Sequence, residues 1–304
     1  QHAAPLTFGY KVAVWAIGIG EVAGQLAWLR ERTLVASLGG PVGTLAALGD
    51  KGPAVADAFA QELGLGTAPI AWHTLRARMV EAGAWLATLM GALAKMAADV
   101  AHLASTEVGE LAEPFVPGRG GSSAMPHKRN PVSATVILSA HMAAKAHVAT
   151  LLDAMAAAHE RPAGAWHAEW HALPQLFGLA SGSLQEARGL SDGLVVKTER
   201  MRRNIDATAG LLFADVVAAR LAPSLGRERA HRLLEQAAGR VRTSGLSLPD
   251  VLRTDPELSR DVPAEILASA FDPTPAVDAA APWVDRALDE ITRVRERLRA
   301  VPQP

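Results

Sequence analysis

The sequence predicts an all-α protein built around a bundle of long helices. Alanine and leucine dominate its 304 residues, there is a single tyrosine, and β-branched runs are few, a composition that favours helix. Leu75, Met79, Leu86, Leu89, Leu93, Met96, Val100 and Leu103 recur at intervals of three, four or seven, which is the period of one helix face. Strand signals are nearly absent throughout.

The elements follow in order. Pro5 suits the first turn of a helix. Residues 6–38 are apolar nearly all round, through Val12, Val14, Trp15, Ile17, Ile19, Val22, Leu26 and Leu29, so this helix must be buried on several sides. Gly18, Gly20 and Gly24 weaken it but permit close helix approach. The run Gly39-Gly40-Pro41-Val42-Gly43 breaks the pattern. A shorter helix is expected over 53–63 and a helix of about thirty residues over 75–103, long enough to be shared between subunits in a bundle. Gly118, Gly120 and Gly121 make the next stretch a flexible loop, mobile over about 117–125 without ligand. Helix resumes from Pro131 to about His159 and again over about 173–205. Beyond Ala207 the helices shorten and gain charge, and prolines punctuate the tail. The expected domains are 1–206, a central bundle carrying a loop at 117–130, and 207–304, a small helical C-terminal domain. There is no internal repeat.

Composition narrows the function classes. With 30 basic and 31 acidic residues the formal charge is −1, which gives no general reason to expect a nucleic-acid or membrane-surface partner. An anionic substrate must then be met by a local cluster of cations. There is no cysteine, so disulfide, thiolate and cysteine-metal chemistry are excluded, and a cytoplasmic location is expected. No uncharged apolar run reaches the roughly 18 residues of a membrane span, so none is expected. The first residues have neither the basic start nor the apolar stretch of a signal peptide and no initiator Met, and position 1 reads as an interior point of a longer chain.

The most informative segment is Gly121-Ser122-Ser123-Ala124-Met125-Pro126-His127-Lys128-Arg129-Asn130-Pro131. Physically it is a mobile loop ending in a cationic turn. Lys128 and Arg129 can meet carboxylates, and Asn130 is placed to cap the helix after Pro131. The string matches the signature of the fumarase/aspartase superfamily, which runs Gly-Ser-Ser, one variable residue, Met-Pro, one variable, Lys, one variable, Asn. The resemblance implies an all-helical lyase fold without cofactor or metal. It implies that Ser122 is the general base, that Lys128 and Asn130 hold a substrate carboxylate, and that Ser123 and Met125 line the substrate site. Such enzymes remove a proton α to a carboxylate and expel a group from the β carbon. The intermediate carries extra negative charge on its carboxylate oxygens, so fixed cations and N–H donors must point at them. A closing loop would exclude water. Serine needs nearby donors and cations to favour its alkoxide.

The opening Gln1-His2-Ala3-Ala4-Pro5-Leu6-Thr7-Phe8-Gly9 resembles a second superfamily element, found at the start of the longest core helix. By that resemblance His2 matches a proton-transfer histidine and Gln1 a substrate contact.

Within the superfamily, three stretches resemble the bacterial 3-carboxy-cis,cis-muconate cycloisomerases: Gly39 to Gly49, Trp72-His73-Thr74, and His159-Glu160-Arg161 with Trp166-His167-Ala168-Glu169-Trp170. Adenylosuccinate lyases and fumarases carry a glutamate five residues after the loop asparagine, where this chain has Thr135. The cycloisomerases also lack it. Arg161 is the expected further carboxylate contact. The His/Glu composition of this stretch suggests metal ligands, but the spacing of His167, Glu169 and His171 is not His-Glu-x-x-His. A polar helix start with paired charges is the expectation. The resemblance implies a small di- or tricarboxylate substrate and a homotetramer with sites shared between subunits. Two alternatives stand beside it: a superfamily lyase that releases fumarate from a substituted succinate, and a helical remnant without activity.

Overall fold

The structure, a computed structural model, describes residues 2–302. Thirteen α-helices make up almost all the regular structure among the described residues, and the strands are two-residue pieces at Leu111–Ala112 and Val195–Val196. The all-helical architecture read from the sequence is therefore the one observed. Two compact units divide the chain. The first comprises 15–105, 111–195 and 289–304, and the second comprises 1–14, 106–110 and 196–288. This division differs from a single cut near residue 207.

The larger unit is organised by α4 (Ala77–Leu103), α5 (Val132–Asp153) and α6 (Ala165–Gly193), which pack side by side. Their shared core holds Leu86, Met90, Leu151 and Leu176 against the small residues Ala140, Ala144, Ala172 and Ala180. Small residues at alternate contacts let the helix axes approach closely while the large ones fill the remaining volume. A side chain at Gly83 would collide with Leu151, so glycine is needed there. The N-terminal helix α1 (Phe8–Ala23) is pinned to α4 by indole hydrogen bonds. Trp15 Nε1 donates to Asp99 Oδ2 at 2.7 Å, and Trp85 Nε1 donates to the Val22 carbonyl at 2.8 Å.

The helix expected over 6–38 is two helices, α1 and α2 (Leu26–Thr33). The break falls at Gly24 and Gln25, where Gln25 N turns to the Val22 carbonyl at 3.1 Å. Glycine lowers the cost of leaving the helix at that point. Residues 34–38 are not helical, and Val35 bridges to Gly66. The helix expected over 173–205 is likewise interrupted. It begins earlier as α6, ends at Gly193, and α7 (Thr198–Asp206) follows separately. The helices expected over 53–63 and 75–103 appear as α3 (Gly52–Glu62) and α4.

The smaller unit has its own core, with Leu212, Phe213, Val217, Leu221, Leu233, Leu234, Val241, Leu248 and Leu252 buried together. It is built mainly from α8 (Ala214–Leu225) and α9 (Arg227–Ser244), joined through Gly226. Gly245 ends α9 in the left-handed conformation, and Ser247 caps the short helix α10 (Leu248–Arg253) by accepting from Asp250 N at 3.3 Å.

Three helical stretches, Phe8–Thr33, Ala77–Leu103 and Val132–Asp153, are long and apolar enough by composition to cross a membrane. Each stretch is interrupted by charged side chains, such as Lys11, Glu21, Lys95, Asp99 and Lys145, so the absence of an uncharged apolar run of about 18 residues stands. An uninterrupted uncharged run is a stricter test than mean hydropathy over a window that tolerates two charges. Only α4 has much of that apolar window buried within the chain.

Candidate active site

The signature segment leaves the short strand Leu111–Ala112 and enters α5. At the foot of the loop the Glu113 carboxylate accepts from Ser133 N at 3.0 Å and Ala134 N at 2.8 Å. It therefore caps α5 and sets a negative charge where the helix dipole favours one. The expectation that Asn130 caps this helix is corrected. Asn130 faces back across the loop, with both its backbone N–H and its Nδ2 donating to the Gly120 carbonyl, at 2.8 and 3.1 Å.

That pair closes the loop at a neck. Gly120 has φ of +72°, and a Cβ there would lie 2.9 Å from the Asn130 carbonyl oxygen. Only glycine satisfies both the torsion and the close approach. Just outside the neck, Arg119 Nη2 donates to Glu186 Oε2 at 2.6 Å, and Ser133 Oγ donates to the same oxygen at 2.8 Å. The Arg119 bond, with help from Ser133, holds the Glu186 carboxyl below its ordinary range against an opposing desolvation. Arg129 stacks over Phe115, 4.4 Å from the ring centroid.

Inside the loop, Ser122 Oγ accepts from Met125 N at 3.1 Å and from Ala124 N at 3.3 Å. Two N–H groups aimed at one hydroxyl oxygen favour its alkoxide, which is the condition for serine to exchange a proton with carbon. Ser123, Met125, His127 and Lys128 are exposed on the same loop, and Lys128 N donates to the Met125 carbonyl at 3.1 Å. Thr135 is exposed, and its Oγ1 donates to the Pro131 carbonyl at 2.7 Å.

A second polar cluster in the larger unit gathers the three stretches that resemble the cycloisomerases. Arg161 donates from Nη2 to the Gly40 carbonyl at 2.7 Å and from Nε to the Pro41 carbonyl at 3.0 Å, and it lies over the Trp166 ring. Gly39 packs so closely on Ala71 and His73 that a Cβ would come within 2.6 Å of one and 2.8 Å of the other. Trp72 Nε1 donates to the Ala36 carbonyl at 2.8 Å, and Arg76 and Arg78 stack over its ring. Arg76 and Glu169 form a buried two-pronged ion pair, with Nε to Oε1 at 2.7 Å and a second bond from Nη2 to Oε2. Burial first, then the guanidinium groups of Arg161 and Arg76, push His73 below the usual histidine range.

The structure thus brings Ser122, Ser123, Met125, Lys128 and Asn130 into one loop and seats Arg161 on the second cluster. His2 is exposed and belongs to the smaller unit, and Gln1 lies outside the described residues. The sequence reading missed Glu113, Arg119, Glu186 and Arg76. An acid just before a glycine-rich loop is a legible hint for Glu113. The partners of Arg119 and Arg76 lie 67 and 93 residues away, and no local pattern marks them.

The lyase family model matches residues 1–146, and the model described as adenylosuccinate lyase C-terminus matches residues 210–287. The crystal structure of 3-carboxy-cis,cis-muconate lactonizing enzyme from Pseudomonas putida superposes with a TM-score of 0.89 at 42% identity, covering 97% of this chain and 65% of that one. The chain belongs to the fumarase/aspartase superfamily. Among curated superfamily relatives, 3-carboxy-cis,cis-muconate cycloisomerase from Pseudomonas aeruginosa is 45% identical over 290 residues, 95% of this chain and 63% of the relative. Nitrosuccinate lyase from Streptomyces davaonensis is 44% identical over 295 residues, 94% of this chain and 62% of the relative. The chain therefore spans a little under two thirds of the length of these superfamily members.

Proposed function

We propose that this chain forms the greater part of a 3-carboxy-cis,cis-muconate cycloisomerase, which interconverts that tricarboxylate and 4-carboxymuconolactone in the catabolism of aromatic compounds. The observation that carries the reading is the 45% identity to the Pseudomonas aeruginosa cycloisomerase along 95% of the chain. In the lactonising direction one substrate carboxylate oxygen bonds to the alkene carbon β to another carboxylate. The displaced π pair is taken up as an aci-carboxylate, and a proton then joins the α carbon. Ser122, its oxygen supported by two loop N–H groups, donates that proton, and in the reverse direction it removes it. Lys128 and Asn130 hold carboxylates, Ser123 and Met125 line the site, and Arg161 supplies a further cation. For Asn130 this requires its Nδ2 to leave Gly120 when substrate binds. His2 serves as a proton-transfer or hydrogen-bonding partner.

The enzyme is read as a cytoplasmic homotetramer whose sites draw residues from several subunits. Apolar side chains left exposed along the helices support this, including Val12, Val14 and Trp28 on α1 and α2, Met142 on α5, and Phe177 and Leu184 on α6.

The 44% identity to nitrosuccinate lyase favours a second reading, β-elimination from a substituted succinate. A direct assay separates the two. 3-Carboxymuconate absorbs in the ultraviolet, and lactonisation removes its conjugation. Loss of that absorbance with the purified natural protein supports the cycloisomerase. No loss, together with formation of fumarate from a substituted succinate, establishes the lyase instead.

A further inference from the structure

We infer that Glu186 is a positioning residue for the signature loop, fixing where both of its limbs leave the bundle and hence where Ser122 and Lys128 stand. The role in turnover rests on the reaction proposed above, whereas the anchoring itself does not. Glu186 lies on α6, whose neighbouring Ser183, Ala187 and Leu190 are buried, so the carboxylate stands on a packed face. One oxygen, Oε2, takes a bond from each limb. Arg119 reaches it from the limb that enters Gly120, and Ser133 reaches it from the limb that leaves Asn130. The limbs are tied to each other by the two Asn130 bonds to Gly120. The loop therefore hangs from a neck whose two sides converge on one atom of a long helix.

The physics separates position from stability. The Arg119 guanidinium is 37% exposed and the Glu186 side chain 22%, so solvent screens the pair and its contribution to folding is small. A reacting group displaced by about 1 Å can nonetheless lose about 100-fold in rate. Removing the anchor should therefore cost rate far more than it costs stability.

The test compares native protein with Glu186→Ala, Glu186→Gln and Ser133→Ala, using amide hydrogen exchange, the thermal midpoint, and kcat and KM with 3-carboxymuconate. Glu186→Ala should speed exchange across 117–131 and lower kcat by about 10- to 100-fold, with a thermal midpoint close to native. Glu186→Gln should fall between, because its amide oxygen can still accept both bonds but without the carboxylate charge that strengthens them. Ser133→Ala should loosen the loop least. Native exchange across 117–131 in Glu186→Ala overturns the inference, as does a loss of kcat without faster exchange. If Glu186→Ala does not fold, native exchange in both Glu186→Gln and Ser133→Ala overturns it. Exchange is read without substrate. If native protein leaves 3-carboxymuconate unconverted while Glu186→Ala still loosens the loop, the proposed reaction fails and the anchoring stands.

Discussion

Arg76 and Glu169, 93 residues apart in sequence, meet as a buried two-pronged ion pair that joins the start of α4 to the first turns of α6. Their side chains are 7% and 3% exposed, so removing one partner strands a charge away from water. Glu169→Gln should destabilise the protein by roughly 3–5 kcal/mol. The double variant Arg76→Met/Glu169→Leu should cost much less, because neither charge then remains. Denaturant unfolding of the three proteins checks this, and equal losses in the single and double variants would refute it.

Ser122→Ala should lower turnover by at least about 100-fold, the lower range for a general acid-base group, with little change in folding. Ser123→Ala alters the neighbouring hydroxyl by the same chemistry and should keep much more activity. Lys128→Met removes a cation from the proposed tricarboxylate site, so KM and kcat should both worsen. Steady-state kinetics decides. Near-native turnover in Ser122→Ala with loss in His2→Ala would move the main proton transfer to His2.

Gly120→Ala places a Cβ against the Asn130 carbonyl in a backbone conformation with φ of +72°. The left-handed torsion alone costs an alanine about 1–2 kcal/mol. The neck should open, and exchange at the Asn130 amide should rise. Gly121→Ala, where a Cβ meets nothing within 4 Å, is the matched control. Equal exchange at Asn130 in the two variants would contradict the neck.

His73 sets a pH dependence. Its Nδ1 is buried and makes no hydrogen bond among the described residues, and its pKa is lowered in the folded protein. The unfolded chain, with an ordinary value of about 6.5, binds the proton more readily than the folded one. The stability linked to neutral His73 is therefore complete above that value and is lost as pH falls through it towards the folded pKa. His73→Gln should flatten the stability profile on the acid side of about pH 6.5. Unfolding midpoints measured across that range test the sign, and parallel profiles for the two proteins would rule it out.

Met142, 65% exposed on α5, should lie in a subunit interface. Met142→Glu should shift the natural protein from the proposed tetramer towards smaller species in light scattering. A mass unchanged by that variant would place the interface on another face.

The sequence by itself determined the helical class, the long helix over 75–103 and the motif of the signature loop. Each depends on residues close together in the chain: apolar spacing within one helix, glycines within one loop, and a motif in fixed register. Sequence also marked the three stretches around Gly39, Trp72 and Arg161, without showing that they meet. Tertiary structure decided what depends on distant partners. It broke the first helix at Gly24, gave the α5 cap to Glu113, turned Asn130 onto Gly120, and paired Arg119 with Glu186 and Arg76 with Glu169. Local propensity carries no information about such contacts. They form only when packed helices bring separate segments together, and burial then makes each charge depend on a partner that the sequence does not name.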